Sequence, residues 1–217
     1  MAHIDVARRD HVCTITFNRP ERLNAIDEAM VRQLTALCTD LADDAQTRVV
    51  VFAGQGKSFS AGGDLGDMAA WLLPDAAARG EKFAASVRDL SKPLTLALAR
   101  VPQPIVASVR GHAIGVALQL VIMADLVIAS ETARFSLPQI DLAHTPDHGE
   151  SWSLSRKIGL SRALQMALLA ERIDGATAER HGLVNLLVAD ADLEARTAAV
   201  VQRLAASPPA AARNAKA

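Results

Sequence analysis

The chain has 217 residues, half of them apolar and 22% charged, which is enough for one domain with a sizeable core. Its net charge of −1 excludes a nucleic-acid electrostatic footprint, and the lack of Tyr with only two Trp excludes a base-stacking platform. Cys13 and Cys38 alone make no disulfide framework and fit a reducing cytoplasm. The opening residues, Met1 to His11, carry charges without an apolar core, so no secretory signal is expected. The most apolar stretch, Ala113 to Ala129, is interrupted by Gln119 and Asp125 and reads as protein interior rather than a membrane span.

Val12 to Phe17 reads as a strand, closed by the turn-forming Asn18-Arg19-Pro20. Asp27 is placed to cap a helix on which Met30, Val31, Leu34, Leu37, Cys38 and Leu41 recur at helical spacing. Arg48 to Ala53 is a second strand, apolar throughout as buried strands are. A Gly-rich segment, Gly54 to Gly66, follows. Ala69 to Arg100 is expected to be largely helical, broken at Pro74 and Pro93. Pro104 to Val109 is a third strand, a helix starts near Gly115, and Leu126 to Ala129 is a fourth strand. Residues 134–150 read as irregular. Helices follow at Ser161 to Ala170 and Ala176 to His181, then a short strand at Val184 to Val188 and a helix at Leu193 to Ala206. The Ala/Pro-rich stretch after Ser207 is expected to fray. Strands alternating with helices make the class α/β.

Two Gly-rich loops each follow a buried strand and precede a helix: SFSAGGDL at 58–65 and GHAIGVALQL at 111–120. Glycine lets backbone approach a ligand closely, and the helix start near Gly115 offers unpaired N–H groups at the positive end of its dipole. Two such N–H groups converging from separate loops would make an oxyanion hole. By themselves the same loops also read as strand-to-helix turns that need Gly. Neither contains a P-loop or a GxGxxG signature.

These motifs, with NRPERLNAI at 18–26, DLVIASETARFSLPQIDL at 125–142 and GATAERHGLV at 175–184, resemble those of the crotonase, or enoyl-CoA hydratase/isomerase, family in order and spacing. The resemblance runs from about Val12 to about Val188. It implies a crotonase-like spiral of β-β-α units, with an acyl-CoA-binding core over 1–190 and a shortened C-terminal helical segment over 191–217. It implies the backbone N–H groups of Ala61 and Val116, the latter after Gly115, as oxyanion donors. Arg22, Leu23 and Ala25 would lie along the coenzyme A nucleotide, with Gly62, Gly63 and Asp64 lining the same channel. Coenzyme A would enter only as part of the substrate thioester, with no separate cofactor or metal. A cytoplasmic homotrimer or hexamer is expected, with no nucleic-acid or membrane partner.

The departures from the family pattern point to a reaction. The two glutamates with which the family's hydratases handle water fall at Gln119 and Gln139, and an amide cannot take a proton at neutral pH. Asp147, in a PD…G…W segment, resembles the catalytic aspartate of ring-1,2-epoxyphenylacetyl-CoA isomerases and of dienoyl-CoA isomerases. An Asp after Pro is also a common helix N-cap. His148 and Glu150 occupy positions that are usually small in relatives. His144 and His148, with Pro146 between them, read as surface loop histidines rather than metal ligands, and Arg156 and Lys157 as a solvated face. A single carboxylate suffices for a shuttle that takes a proton at one carbon and returns it at another, so isomerisation is favoured over hydration. Burial beside Leu142 and Trp152 is expected to raise the Asp147 pKa. The alternatives are an atypical hydratase and a non-catalytic acyl-CoA-binding member.

Overall fold

The computed structural model describes residues 3–69 and 75–216. A six-stranded sheet organises the chain. Its strands are β1 (Ile4–Arg9), β2 (Val12–Phe17), β3 (Val49–Gly54), β4 (Ile105–Val109), β6 (Leu126–Ser130) and β9 (Leu186–Val188), in that spatial order. Only β1 pairs antiparallel; every later pairing is parallel. A second sheet joins β5 (His112–Ile114), β7 (Arg134–Ser136) and β8 (Ile173–Asp174).

The central strands are apolar on both faces because both faces are covered. In β3, Val50 and Phe52 face the larger core with Leu34, Cys38 and Leu98, while Val49 and Val51 face a second cluster with Val106, Ile128, Leu193 and Val201. The first face is covered by α1 (Glu28–Asp43) and α4 (Lys92–Ala99), the second by α9 (Leu193–Ala205). Residues after 190 therefore complete the sheet's second core rather than hang from its end. Asp27 caps α1 as expected, its Oδ1 accepting from the Met30 N–H at 2.8 Å.

Several elements depart from expectation. The break expected at Pro74 lies outside the described residues. At Pro93 there is no break: α3 (Ala76–Ser86) runs into a π-turn at Val87–Ser91 and on into α4. The wider turn, closed by the Lys92 N–H on the Val87 carbonyl, accommodates a proline that has no N–H to give. Residues 134–150 are more regular than expected, with β7, a 3-10 turn at Pro138–Leu142 and the start of α6 (Glu150–Ile158). The C-terminal stretch is helical as α10 (Pro209–Lys216), tied down by Arg213 to the Asp44 carbonyl at 3.2 Å and by Lys216 to Asp125 at 2.9 Å. The remaining helices are α2 (Leu65–Ala69), α5 (Val116–Met123), α7 (Leu160–Leu169) and α8 (Gly175–His181). Among the described residues no helix is long and apolar enough to cross a membrane.

Candidate active site

The two Gly-rich loops lie side by side. Phe59, fully buried, packs edge-on against Phe17 at 5.2 Å and anchors the first loop to the sheet. From there the backbone pairs with the second loop in parallel: Ser60 N–H donates to the His112 carbonyl at 2.7 Å, and Ile114 N–H to the Ser60 carbonyl at 3.3 Å. The approach is close enough that a Cβ on Gly62 would stand 2.6 Å from the Ile114 carbonyl oxygen, and Gly62 has φ +91°. Only glycine meets both conditions.

The Ala61 N–H, expected as an oxyanion donor, is engaged within the protein. It donates to the Leu23 carbonyl at 2.9 Å, and the Gly62 N–H to the Ser60 hydroxyl at 3.1 Å. Both are spent holding the loop. Gly63 bridges Ile26 in parallel, so its neighbours carry the bonds: Ile26 N–H to the Gly62 carbonyl at 2.8 Å and Asp64 N–H to the Ile26 carbonyl at 2.9 Å. The Gly63 N–H therefore points away from that pairing and has no partner among the described residues. Val116 is the first residue of α5, so its N–H has no intrahelical acceptor. Gly115 before it, at φ +54°, faces open space where a Cβ would be. Gly63 and Val116 thus each offer a backbone N–H with no acceptor among the described residues.

The segment expected to meet the nucleotide is brought against the first of these loops by the bridge between Ile26 and Gly63. Asn24, fully buried, accepts from the Arg19 N–H at 2.9 Å and donates to the Gln55 and Ser58 carbonyls at 2.9 and 2.7 Å. Arg19 donates to the Ala25 carbonyl and pairs with Asp64 at 3.0 Å. Burial raises the Asp64 pKa, but the Gly66 N–H, Arg19 and Arg22 together carry it below the usual range. Asp64 is thus a brace for the channel wall, and Arg22, 61% exposed, is the cation left facing outward.

The other half of the site is assembled from four elements. Asp147 is 12% exposed; its Oδ2 accepts from the Ser91 hydroxyl at 2.8 Å, and its Oδ1 lies 3.2 Å from His148 Nδ1, within ion-pair reach but off the ring N–H axis. His148 is not on the surface. Its N–H donates to Glu150 Oε2 at 2.8 Å and its carbonyl accepts from the Thr95 hydroxyl at 2.8 Å. Glu150 is fully buried, and its Oε1 accepts from the Gln139 amide at 3.2 Å. Gln119, one turn along α5 from Val116, accepts from the Ser153 hydroxyl at 3.0 Å, while its Nε2 faces Gly149. Gln119, Gln139 and the 147–150 loop therefore converge, and α5 joins them to the oxyanion loops.

The expected rise in the Asp147 pKa is reversed. Burial pushes it up, but His148, by contact and charge, the Ser91 hydroxyl and the charge of His144 together hold it below the usual carboxylate range. Leu142 and Trp152, the expected apolar neighbours, are 48% and 61% exposed, and Trp152 is instead covered by the Arg156 guanidinium at 3.7 Å. Lys157 is no solvated residue either, since its Nζ donates to the Ala124 carbonyl at 2.5 Å. Burial lowers the His148 pKa, but Asp147 and Glu150 outweigh it and hold the ring above its ordinary value. Glu150 is raised, chiefly by burial. The ligand atoms of Asp147, His148 and Glu150 all lie within 4.8 Å of one another, a spacing that would also admit a metal ion. Sequence reasoning set His148 and Glu150 aside; their bulk where relatives are small was the signal.

Two Gly-rich loops with free backbone N–H groups and a buried carboxylate, on a stack of β and α units, are features of acyl-transfer and enolate-forming enzymes. Residues 7–217 match the enoyl-CoA hydratase/isomerase family, and the chain belongs to that family. It is 37% identical over 205 residues to a protein of Mycobacterium tuberculosis named probable enoyl-CoA hydratase, covering 93% of this chain and 76% of that one. It is 32% identical over 197 residues to the 1,2-epoxyphenylacetyl-CoA isomerase of Escherichia coli, covering 91% and 74%. The crystal structure of enoyl-CoA hydratase from Bacillus anthracis superposes with a TM-score of 0.89 at 30% identity, covering 99% of this chain and 81% of the other. The crotonase-like fold expected from the motifs is thereby established.

Proposed function

We propose that this family member is an acyl-CoA isomerase in which the Gly63 and Val116 N–H groups hold the thioester oxygen and Asp147 moves the proton. One observation carries the reading: Asp147 is held ionised in the converging loops, while Gln119 and Gln139, its neighbours there, are amides. The Asp147 carboxylate takes a proton from the α- or γ-carbon, and the C–H electron pair passes into the enolate. Each preorganised donor at the oxygen contributes about 2.7–4 kcal/mol. A proton is returned at the other end of the shifted double bond, and this acid–base catalysis contributes roughly 10²- to 10⁴-fold. Arg22 and the backbone of Leu23 and Ala25 meet the nucleotide of coenzyme A, which enters only as part of the substrate, and no further cofactor is required. The enzyme is cytoplasmic and self-associates as a trimer or hexamer. The exposed leucines Leu160, Leu164 and Leu168, one turn apart along α7, favour such a contact.

Hydration is the second reading, and one observation favours it. Gln119 Nε2 and Gln139 Oε1 are buried without a partner among the described residues, a donor and an acceptor able to hold a water between them. A panel of 3-enoyl, 2-enoyl and aryl-acyl CoA thioesters tests the choice. Turnover of a 3-enoyl thioester, lost about 10²-fold or more in Asp147→Asn with coenzyme A binding little changed, is the expected result. Hydration of a 2-enoyl thioester that survives Asp147→Asn refutes the isomerase reading. Coenzyme A binding with no turnover of any thioester identifies a non-catalytic member.

A further inference from the structure

We infer that His148 is a second proton-carrying residue of this site: its imidazole, 3.2 Å from the Asp147 carboxylate and with the Glu150 carboxyl group within 4.8 Å, acts as the acid to the Asp147 base. The inference rests on the reading of Asp147 as the base.

The His148 backbone is held by separate elements. Thr95 of α4 holds the His148 carbonyl, Glu150 of α6 holds its N–H, and Gln139 of the 3-10 turn holds Glu150. Together they fix the backbone on both sides of the ring. Nδ1 faces Asp147 at 3.2 Å and satisfies no hydrogen bond, and Nε2 makes none with any described residue. Among the described residues no Lys or Arg pairs with Asp147 or Glu150. Two buried carboxyl groups with no such cation are costly, and an apolar loop of equal volume would be more stable. A protonated imidazole beside them supplies the missing charge. The charged groups acting on the ring are Asp147 and Glu150; Ser91, Thr95, Gln119 and Gln139 of the packed elements are neutral. The upward shift of the His148 pKa, against its burial, has the same sense.

The proton balance closes. Asp147 takes a proton from carbon and the electron pair enters the enolate. The imidazolium gives its Nε2 proton to the atom where the charge collapses, a distant carbon or an oxygen on the β-carbon. Asp147 then releases its proton to water and the imidazole takes one up. Glu150 touches no reacting atom, being fully buried, and is a positioning residue that acts through His148.

The test titrates the His148 ring by ¹⁵N NMR in wild type, Asp147→Asn and Glu150→Gln, and records kcat against pH with and without His148→Gln. The ring is expected to titrate above the reference of about 6.5, and lower in each carboxyl variant. His148→Gln should lose about 10²-fold in kcat and the high-pH limb of the profile, with KM within about twofold. A ring that is neutral at pH 7 overturns the inference, whether or not any variant folds. So does His148→Gln with the wild-type profile while Asp147→Asn is inactive, which leaves the Asp147 reading standing. Full turnover in Asp147→Asn instead overturns that reading and removes the base that His148 is meant to complement. Stoichiometric Mn²⁺ or Zn²⁺ binding that His148→Gln abolishes also overturns it, because Nδ1 would then be a ligand.

Discussion

Gly62→Ala isolates what the close approach of the two loops contributes. The new Cβ would meet the Ile114 carbonyl oxygen at 2.6 Å and the carbonyl carbon at 3.2 Å, where ordinary contact begins near 3.5 Å. Both obstacles are backbone, so no side chain can swing away, and the loops must part by roughly 1 Å. At φ +91° an alanine also carries strain on the order of 1–3 kcal/mol. Gly63 and Val116 follow this contact, one on each loop, so parting the loops moves the two proposed oxyanion donors apart. A displacement of about 1 Å at such a site costs on the order of 10² in rate. The expected outcome is a kcat lower by about 10²-fold and a melting temperature lower by roughly 3–10 °C. Gly80→Ala is the control, because a Cβ there meets nothing within 4 Å, and the exchange in α3 should stabilise by up to about 1 kcal/mol. Wild-type kcat in a folded Gly62→Ala protein refutes the claim that this contact spaces the donors.

Asn24→Ala strands the buried Ser58 carbonyl and Arg19 N–H and frees the half-buried Gln55 carbonyl, and should cost about 2–4 kcal/mol in chemical denaturation. Stability should depend on pH through the Asp147–His148 pair. The Asp147 pKa is lowered on folding, so its contribution is present above the unfolded value of about 3.9 and is lost as pH falls through the folded one. The His148 pKa is raised, so its contribution is full below about 6.5 and is lost as pH rises through the folded value. Asp147→Asn should flatten both limbs of the curve of melting temperature against pH. Leu164→Glu with Leu168→Glu should convert the assembly to monomer in light scattering, and an unchanged mass would remove α7 from the interface.

The strands β3, β4 and β6 were legible because each is a largely apolar run, β2 because its buried positions alternate, and α1 because its buried positions repeat at helical spacing behind Asp27. β1 was not, since only Ile4 of its six residues is buried and an edge strand with one anchored side chain leaves no alternation to read. β5, β7 and β8 span three, three and two residues, too short for any periodicity. The Gly-rich motif marked the loop, but that the Ala61 N–H is engaged hung on the Leu23 carbonyl, brought in by a separate turn. The direction of the Asp147 pKa shift hung in part on Ser91, which is 56 residues upstream. Local pattern reports which segments are buried or turn; it does not report which distant polar group consumes a given donor.

The π-turn at Val87–Ser91 gives the base an adjustment that no substitution provides. The turn holds one residue more than an α-helix would use there, and Ser91, whose hydroxyl binds Asp147, is its last member. Deleting a single residue from the turn could restore a regular helix, yet would change the rotation of Ser91 relative to the preceding turns by about 100°. The helix would survive while the hydroxyl left the carboxylate. Gain or loss of one codon in that stretch is therefore a route by which the basicity of Asp147 can be reset while every residue lining the pocket stays the same.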